Sequence, residues 1–296
     1  MARTKVDPLA SQVDPGASVF EALAALRCEV ELLRRREEAY QSSLDELTRE
    51  LQEARAMQRQ LLPSALPELS GLRTGIVFRP AGVVSGDIYD FARLDERYVA
   101  FMLADATGHG ASAGMMAALL RNELTGRGAQ RRGCDPTRPE EVLESANLEL
   151  VACELGESPF IAGIYGVFDE LRRTVRWARA GAPYPSIVRA GLPAELVMSA
   201  GPILGASRDA EFQAVETALE PGDAIVFNTD GIELLPESIR CRHWVSALTS
   251  WGGSDDRDPT DVVSWTQRLA AELEAAEAGS PQRDDVTVLA AQATSA

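Results

Sequence analysis

Residues 98–120, YVAFMLADATGHGASAGMMAALL, contain the transition that decides the fold. Their first part, Tyr98 to Ala104, is an apolar run of strand length, and Asp105 follows it directly. A glycine-rich turn comes next, and Ala111 to Leu124 then has the composition of a helix. The stretch therefore predicts a buried strand, a loop that carries an acid, and a helix.

Three further stretches place aspartates beside glycine, or beside another aspartate, at the edge of an apolar strand. They are PAGVVSGDIYDF at 80–91, DAIVFNTDGIEL at 223–234 and QRDDVTVLA at 282–290, with the acids Asp87, Asp90, Asp230, Asp284 and Asp285. One such acid is more often part of a turn or a helix cap than a ligand. Four stretches of this kind favour a shared site, because the ends of their strands can converge.

The residue types limit the chemistry of such a site. Carboxylate oxygens suit Mg²⁺ or Mn²⁺, whereas the chain has only two histidines and four cysteines, without zinc-ligand spacing. Clustered carboxylates repel one another, and their pKa values rise unless cations neutralise them. The cluster therefore suits divalent cations, Mn²⁺ or Mg²⁺, and two such cations held close together can activate a water molecule for attack on phosphorus.

After Pro63, which ends a long helical segment, short β-rich runs and helical runs alternate through the rest of the chain. Ten strands are predicted between residues 74 and 291, with helices over Ala111 to Leu124, Pro139 to Cys153, Glu237 to Ser250 and Thr260 to Ala278. Strands joined by short turns indicate antiparallel pairing, and helices clustered between strand groups indicate layers. Residues 63–296 are predicted to form one α+β domain.

The N-terminal part of the chain differs in composition. Residues 1–16 are polar and are expected to be a loose tail, whereas residues 17–62 lack proline and glycine. An apolar seam with steps of three and four residues runs from Leu23 to Leu61, interrupted only at Glu37 and Gln58. The seam predicts a coiled coil about 70 Å long and a parallel homodimer. A single amphipathic helix lying on the domain is the alternative, and the narrow stripe disfavours it.

Composition argues against several classes of function. The formal net charge of −16 argues against non-specific nucleic-acid binding and against docking on an anionic bilayer. No segment approaches the roughly 18–20 apolar residues of a membrane helix, and the N-terminus has no apolar signal region. Since the four cysteines are widely spaced, we expect a protein of the reducing cytoplasm, with no nucleic-acid or membrane partner.

Six ordered blocks carry a family resemblance: LQEARAMQRQLLPSALP, FRPAGVVSGDIYDF, LADATGHGASAGMMAALL, ARAGAPYP, LEPGDAIVFNTDGIEL and RDDVTVLA. Over about residues 52–292 they closely resemble the bacterial PPM-type (PP2C-like) serine phosphatases of the SpoIIE/RsbU group. The resemblance implies an αββα sandwich, in which two antiparallel sheets lie between helical layers. It also implies hydrolysis of phosphoserine or phosphothreonine on a protein. The usual substrate in that group is a phosphorylated STAS-domain anti-sigma factor antagonist, whose dephosphorylation releases a sigma factor.

The resemblance also implies roles for particular residues. Asp105 would be the ligand that bridges two metal ions, and the carbonyl of Ala106 would be a backbone ligand. Asp230 and Asp284 would hold one ion, and Asp87 would help to hold the other, directly or through water. The four aspartates would thereby orient the attacking water, so we expect them to be the catalytic set.

Several neighbouring residues have alternative interpretations. Asp285 replaces Asp284 as a ligand if the register slips by one, although its side chain is expected to point away at a strand start. Asp90 is expected to be structural. His109 is either a general acid for the leaving oxygen or a loop residue at a position where the group often has lysine. Arg79 either contacts phosphate or is a surface residue.

The chain departs from the family pattern at Ser85, which replaces the first glycine of a GGD block, and at Ala182, which replaces a common histidine. Asn228 and Thr229 precede Asp230 where the family has Tyr-Ser or Tyr-Thr. No expected metal acid is missing, so we expect an active enzyme.

Two rival functions remain at this stage. One is a non-catalytic phosphatase-like adaptor that acts through its coiled coil, and the other is a hydrolase of small phosphate esters. We also expect an activating signal to arrive from a separate partner protein or through the helix itself, because residues 1–16 are too few for a folded sensor domain. In that hypothesis the coiled coil sets the position of the helix over Ala111 to Leu124, and thereby metal occupancy.

Overall fold

The computed structural model describes residues 19–106, 110–124, 133–152, 160–189, 192–235, 261–277 and 282–294. The predicted tail over residues 1–16, His109 and the helix predicted over 237–250 lie outside the described residues. The chain divides into two compact units, of which the first ends at Glu50 and the second begins at Leu51.

Helix α1 spans Val19–Leu61, 43 residues, and confirms the long N-terminal helix that the composition predicts. Along the part that belongs to the first unit, the apolar side chains of the predicted seam are exposed, including Leu23, Leu33 and Leu44. A helix of this length gains stability in water mainly by burying an apolar face. The exposed seam is therefore the surface that a coiled-coil partner would cover, and the pairing itself remains a prediction.

The strands of the second unit form two five-stranded sheets with antiparallel neighbours. They are β1 (Leu72–Arg79), β2 (Asp87–Arg93), β3 (Tyr98–Ala106), β4 (Ile161–Asp169), β5 (Thr174–Ala180), β6 (Ser186–Val188), β7 (Glu195–Leu196), β8 (Ala214–Ala218), β9 (Ala224–Asn228) and β10 (Val286–Ala293). The order in the first sheet is β1-β10-β9-β6-β7, and in the second it is β2-β3-β4-β5-β8.

Helices cover the outer faces of both sheets. Helices α2 (Ala111–Leu124) and α3 (Pro139–Ala152) pack on the second sheet, and α4 (Val262–Glu277) packs on the first. A short 3-10 helix, Asp230–Leu234, follows β9. The layer order of helix, sheet, sheet and helix confirms the predicted αββα sandwich. None of the helices in the described ranges is long and apolar enough to cross a bilayer.

The layer between the two sheets is a dense apolar core. Phe101 of the second sheet lies 4.8 Å, between ring centroids, from Phe227 of the first, and Trp177 packs against Phe227 at 6.0 Å. Burial of such side chains stabilises the sandwich by roughly 1.5–3 kcal/mol each. Because side chains alternate between faces of a strand, Asp105 lies on the same face as Phe101 and Leu103. The acid therefore points toward the inter-sheet layer, at its end.

Candidate metal centre

Both sheets contribute strand ends to one edge of the inter-sheet layer. In the second sheet, Asp87 at the start of β2 lies directly opposite Asp105 near the end of β3. In the first sheet, β9 ends at Asn228 and Asp230 lies two residues beyond it, while Asp284 lies two residues before the start of β10. The four acids predicted from sequence therefore come from strand ends that the fold brings together.

Asp87 is the most buried acid of the group, with a relative exposure of 1%. Its Oδ2 accepts hydrogen bonds from the hydroxyls of Thr229, at 2.8 Å, and Thr287, at 2.6 Å. Its Oδ1 is also buried and has no hydrogen-bond partner among the described residues. Burial, followed by the negative charge of Asp105, raises the pKa of Asp87 well above its usual value. A proton or a cation bound at Oδ1 would therefore stabilise the buried carboxyl group of Asp87.

Asp105 lies at the electrostatic centre of the cluster. Burial raises its pKa to about 7, and the charges of Asp230, Asp284 and Asp285 add to that effect. A hydrogen bond between the carboxyl groups of Asp105 and Asp230 acts in the same direction. The pKa of Asp284 is also raised, mainly by burial. These are the shifts expected of carboxylates packed together in a partly dry site.

Asp230 forms the rim of the cluster, because its side chain is exposed at the start of the 3-10 helix. The next residue, Gly231, lets this turn approach the chain before β10. A Cβ atom added to Gly231 would lie 1.9 Å from the carbonyl oxygen of Asp285. Only glycine allows that approach, which brings Asp230 beside Asp284 and Asp285.

Asp285 holds the loop that leads into β2. Its Oδ1 accepts the backbone N–H of Ala81 at 2.6 Å, and its Oδ2 accepts those of Gly86 at 2.6 Å and Asp87 at 3.4 Å. The expectation that this side chain points away from the site is wrong. Asp285 has the same strand parity as Thr287, so both side chains face the loop and Asp87.

Gly86 brings the start of β2 against the end of β3. Its carbonyl accepts the N–H of Ala106 at 3.1 Å. An added Cβ atom would lie 2.8 Å from the carbonyl oxygen of Ala106 and 3.3 Å from Oδ1 of Asp105. Glycine at this position therefore places the two predicted ligands of β3 directly beside the loop that carries Asp87.

Comparison with known proteins identifies the family of this chain. The family described as Stage II sporulation protein E (SpoIIE) matches residues 95–294. The chain belongs to the SpoIIE family.

This SpoIIE-family chain is also similar to curated relatives and to solved structures. Protein IcfG of Synechocystis is 26% identical over 81% of this chain and 41% of its own length. Phosphoserine phosphatase RsbU of Bacillus subtilis is 26% identical over 63% of this chain and 54% of its own. The chain thus spans about half the length of the curated relatives it matches. The SiaA-PP2C domain of Pseudomonas aeruginosa superposes with a TM-score of 0.67 at 20% identity, covering 84% of this chain and 98% of that domain. The fold is therefore that of PP2C domains.

The residue types at the site of this SpoIIE-family chain suit a hard divalent cation. Its donors are oxygen atoms, its carboxylates repel one another, and the buried Oδ1 of Asp87 has no partner among the described residues. In the same described ranges, however, no three histidine, cysteine, aspartate or glutamate side chains converge into a group that could hold a metal ion. The assignment of Asp87, Asp105, Ala106, Asp230 and Asp284 as ligands therefore remains a prediction.

The other candidate residues have separate positions. Asp90 forms an ion pair with Arg121 of α2 at 2.9 Å and accepts the N–H of Phe91, as suits the structural role predicted for it. Ala182, where the family has a common histidine, is buried and lines a small cavity together with Asp105 and Thr229. His109 lies outside the described residues, so its role as a general acid remains a prediction.

Sequence reasoning overlooked the hydroxyls of Thr229 and Thr287 and the side chain of Gln58, which hydrogen-bonds to the backbone of Ser85. The sequence does contain a pattern that could have identified the two threonines. Thr229 directly follows β9 and Thr287 lies within β10. Two residues further into the sheet, the same faces carry Phe227 and Leu289 of the inter-sheet core. A polar residue at an inward position of an apolar strand needs a buried partner.

Proposed function

We propose that this chain is a divalent-metal-dependent protein phosphatase that hydrolyses phosphoserine or phosphothreonine. The observation that carries the proposal is the grouping of Asp87 and Asp105 of one sheet with Asp230 and Asp284 beside the other. Mutual repulsion of this kind costs stability, and such costs are typically retained where function needs them.

Each residue of the cluster has a distinct task in this proposal. Asp105, Asp230 and Asp284, with the carbonyl of Ala106, would hold two ions, Mn²⁺ or Mg²⁺. Asp87 would assist through its Oδ1, which has no hydrogen-bond partner among the described residues. Bound cations would supply positive charge that lowers the pKa of a water molecule and stabilises charge on the phosphoryl oxygens.

The positions of the side chains also suit a protein substrate. Asp230 is exposed at the rim, so a phosphorylated side chain on another protein can reach this edge without opening of the sandwich. Asp87 is the buried acid of the group, and the hydroxyls of Thr229 and Thr287 fix its Oδ2 while its Oδ1 has no partner among the described residues. The deeper acid is thereby oriented by the protein before any ligand binds, which favours a fixed reaction geometry.

For the substrate, we propose a phosphorylated STAS-domain protein that controls a sigma factor, as the family resemblance implies. The name of the Bacillus subtilis relative, phosphoserine phosphatase RsbU, supports phosphoserine as the group attacked. We further propose a homodimer formed through residues 17–62 and a separate activating protein that acts on it.

The experiment that tests the proposal measures phosphate release with and without Mn²⁺. The substrates are a STAS-domain protein phosphorylated on serine and p-nitrophenyl phosphate, and the enzymes are the wild type, Asp105→Asn and the surface control Asp209→Asn. We expect Mn²⁺-dependent release from the phosphoprotein by the wild type and by Asp209→Asn only.

Other outcomes would favour the rival functions. Release from the aryl phosphate alone would indicate a hydrolase of small phosphate esters. A folded wild type that binds no Mn²⁺ and releases no phosphate would indicate a non-catalytic adaptor, and turnover by Asp105→Asn would overturn the assignment of the site.

A further inference from the structure

Gln58 is a buried polar residue near the end of helix α1, between exposed neighbours. It lies in the second unit, one turn before the end of the helix, with a relative exposure of 7%, while Arg59 and Gln60 beside it are exposed. Its position explains one of the two interruptions of the apolar seam, because the side chain packs against the domain.

The amide of Gln58 satisfies both backbone polar groups of Ser85. Its Nε2 donates to the carbonyl oxygen of Ser85 at 2.7 Å, and its Oε1 accepts the N–H of Ser85 at 3.0 Å. A neighbouring β-strand would make the same pair of bonds, but this loop lies outside the ladders. Ser85 is fully buried, so loss of the amide would leave a backbone donor and acceptor unsatisfied.

Ser85 in turn contacts the candidate metal centre through its own neighbours. Its Oγ accepts the N–H of Asp87 at 3.1 Å, and the carbonyl of Gly86 accepts the N–H of Ala106 at 3.1 Å. Asp285 holds the other side of the same loop through the N–H groups of Gly86 and Asp87. The loop is therefore fixed between two side chains, one before β1 and one before β10.

Helix α2 completes the enclosure of this contact. A Cβ atom added to Gly114 would lie 3.4 Å from Nε2 of Gln58 and 2.4 Å from Cγ1 of Val84. The amide therefore sits in a closely packed position between the loop and α2, where its geometry is restricted.

We propose that Gln58 is a positioning residue for the candidate metal centre. It holds Ser85 by two hydrogen bonds and thereby sets the position of Asp87, although it touches no reacting group. The inference rests on the proposed function in one respect, namely that the centre binds a divalent cation.

The test uses the full-length chain with Gln58→Met, Gln58→Glu and the matched control Gln60→Met. Methionine keeps the volume and removes both bonds. Glutamate keeps an acceptor for the N–H of Ser85 and, protonated in this buried position, a donor for its carbonyl. Two quantities are measured: the Kd for Mn²⁺ alone by calorimetry, and the hydrogen-exchange rate of the backbone amides from Val83 to Asp87.

We expect Gln58→Met to weaken Mn²⁺ binding about 10- to 100-fold, the usual effect of losing a residue that orients a metal ligand. Exchange at Ser85 should quicken in Gln58→Met and stay slow in Gln58→Glu, while Gln60→Met should match the wild type in both measurements. The KM for the phosphoprotein should not change, and kcat should recover at saturating Mn²⁺.

The outcomes that contradict the inference are separate from those that contradict the function. Wild-type exchange at Ser85, or a wild-type Kd for Mn²⁺, in a folded Gln58→Met variant would overturn it. If Gln58→Met fails to fold, exchange at Ser85 in Gln58→Glu decides, because fast exchange there contradicts the role of Oε1. If the wild type binds no Mn²⁺, the proposed function is wrong, and so is the role of Gln58 in positioning a metal ligand. The exchange rates then still report whether Gln58 holds the loop.

Discussion

The two oxygens of the Asp87 carboxylate have different surroundings. One oxygen accepts two hydroxyl hydrogen bonds from residues beside β9 and within β10, and the other is buried without a partner among the described residues. A buried polar atom of this kind costs roughly 1–3 kcal/mol. The free energy is recovered when a proton or a cation binds there.

The raised pKa of Asp105 predicts a gain in metal-free stability for Asp105→Asn. Its folded pKa of about 7 exceeds the unfolded value of about 3.9, so its ionisation destabilises the folded protein. The loss of folding stability is absent at pH values below the unfolded pKa. It grows between the unfolded and the folded pKa, and it is complete above pH 7. In chelator at pH 8 we expect the free energy of unfolding to increase by up to about 4 kcal/mol, with a smaller increase at pH 5.

Urea unfolding at the two pH values measures this difference, with Asp209→Asn as the control for the loss of one surface charge. A variant that is no more stable than the wild type at pH 8, or equally stabilised at both pH values, would contradict the assigned repulsion. The same variant should lose Mn²⁺-dependent hydrolysis.

Close packing at Gly86 predicts a local defect when a methyl group is added. In Gly86→Ala the new Cβ atom would lie 2.8 Å from the carbonyl of Ala106, so β2 and β3 must separate at their ends. We expect a loss of about 1–3 kcal/mol in stability and weaker Mn²⁺ binding. Gly82→Ala is the matched control in the same loop, because its Cβ would meet only the carbonyl of Val84, at 3.5 Å.

Thermal unfolding and calorimetry with Mn²⁺ compare the two variants. Equal Mn²⁺ affinities for Gly86→Ala and Gly82→Ala would show that the approach of Gly86 to Ala106 is not needed by the site.

At the scale of elements, hydrophobic periodicity identified the strands and the helices that the structure describes. The helix predicted over Ala111 to Leu124 has those bounds, and the one predicted over Pro139 to Cys153 is present over Pro139–Ala152, with Cys153 outside the described residues. Apolar alternation determines such elements locally, since one face must be buried. The periodicity also placed the acids at strand ends.

What periodicity did not predict is the role of Asp285. Its partners are the N–H groups of Ala81, Gly86 and Asp87, about 200 residues earlier in the chain. Neither the direction of this side chain nor the hydroxyl contacts of Asp87 can be obtained from local pattern, because each depends on how the two sheets pack. Whether the acids approach closely enough to share a metal ion depends on the same packing of the two sheets.

The exposed seam of α1 predicts that dimerisation depends on one face of that helix. Leu33 lies in the seam and Leu32, its neighbour, lies outside it, and both side chains are more than half exposed. We expect Leu33→Glu to weaken or abolish the dimer, since a coiled coil tolerates charge poorly in its apolar seam, and Leu32→Glu to leave it intact. Sedimentation equilibrium measures both. Equal behaviour of the two variants, or a monomeric wild type, would contradict the coiled coil.

At the scale of the whole molecule, the site exists only when the two sheets are packed together. One sheet supplies Asp87 and Asp105. The other sheet and the residues that flank its strands supply Asp230, Asp284 and the threonines. The inter-sheet core that fixes this packing belongs to the second unit, which begins at Leu51. Assembly of the site therefore depends on residues from Leu51 onward.

This division predicts that two truncations behave differently. A chain of residues 51–296 keeps the core and Gln58, so we expect it to fold as a monomer and to bind Mn²⁺ with an affinity near that of the full chain. A chain of residues 61–296 loses Gln58, and its affinity should fall as in Gln58→Met. Circular dichroism, sedimentation and calorimetry compare the two. If residues 51–296 already bind Mn²⁺ as weakly as residues 61–296, the coiled coil itself, rather than Gln58, controls the position of Asp87.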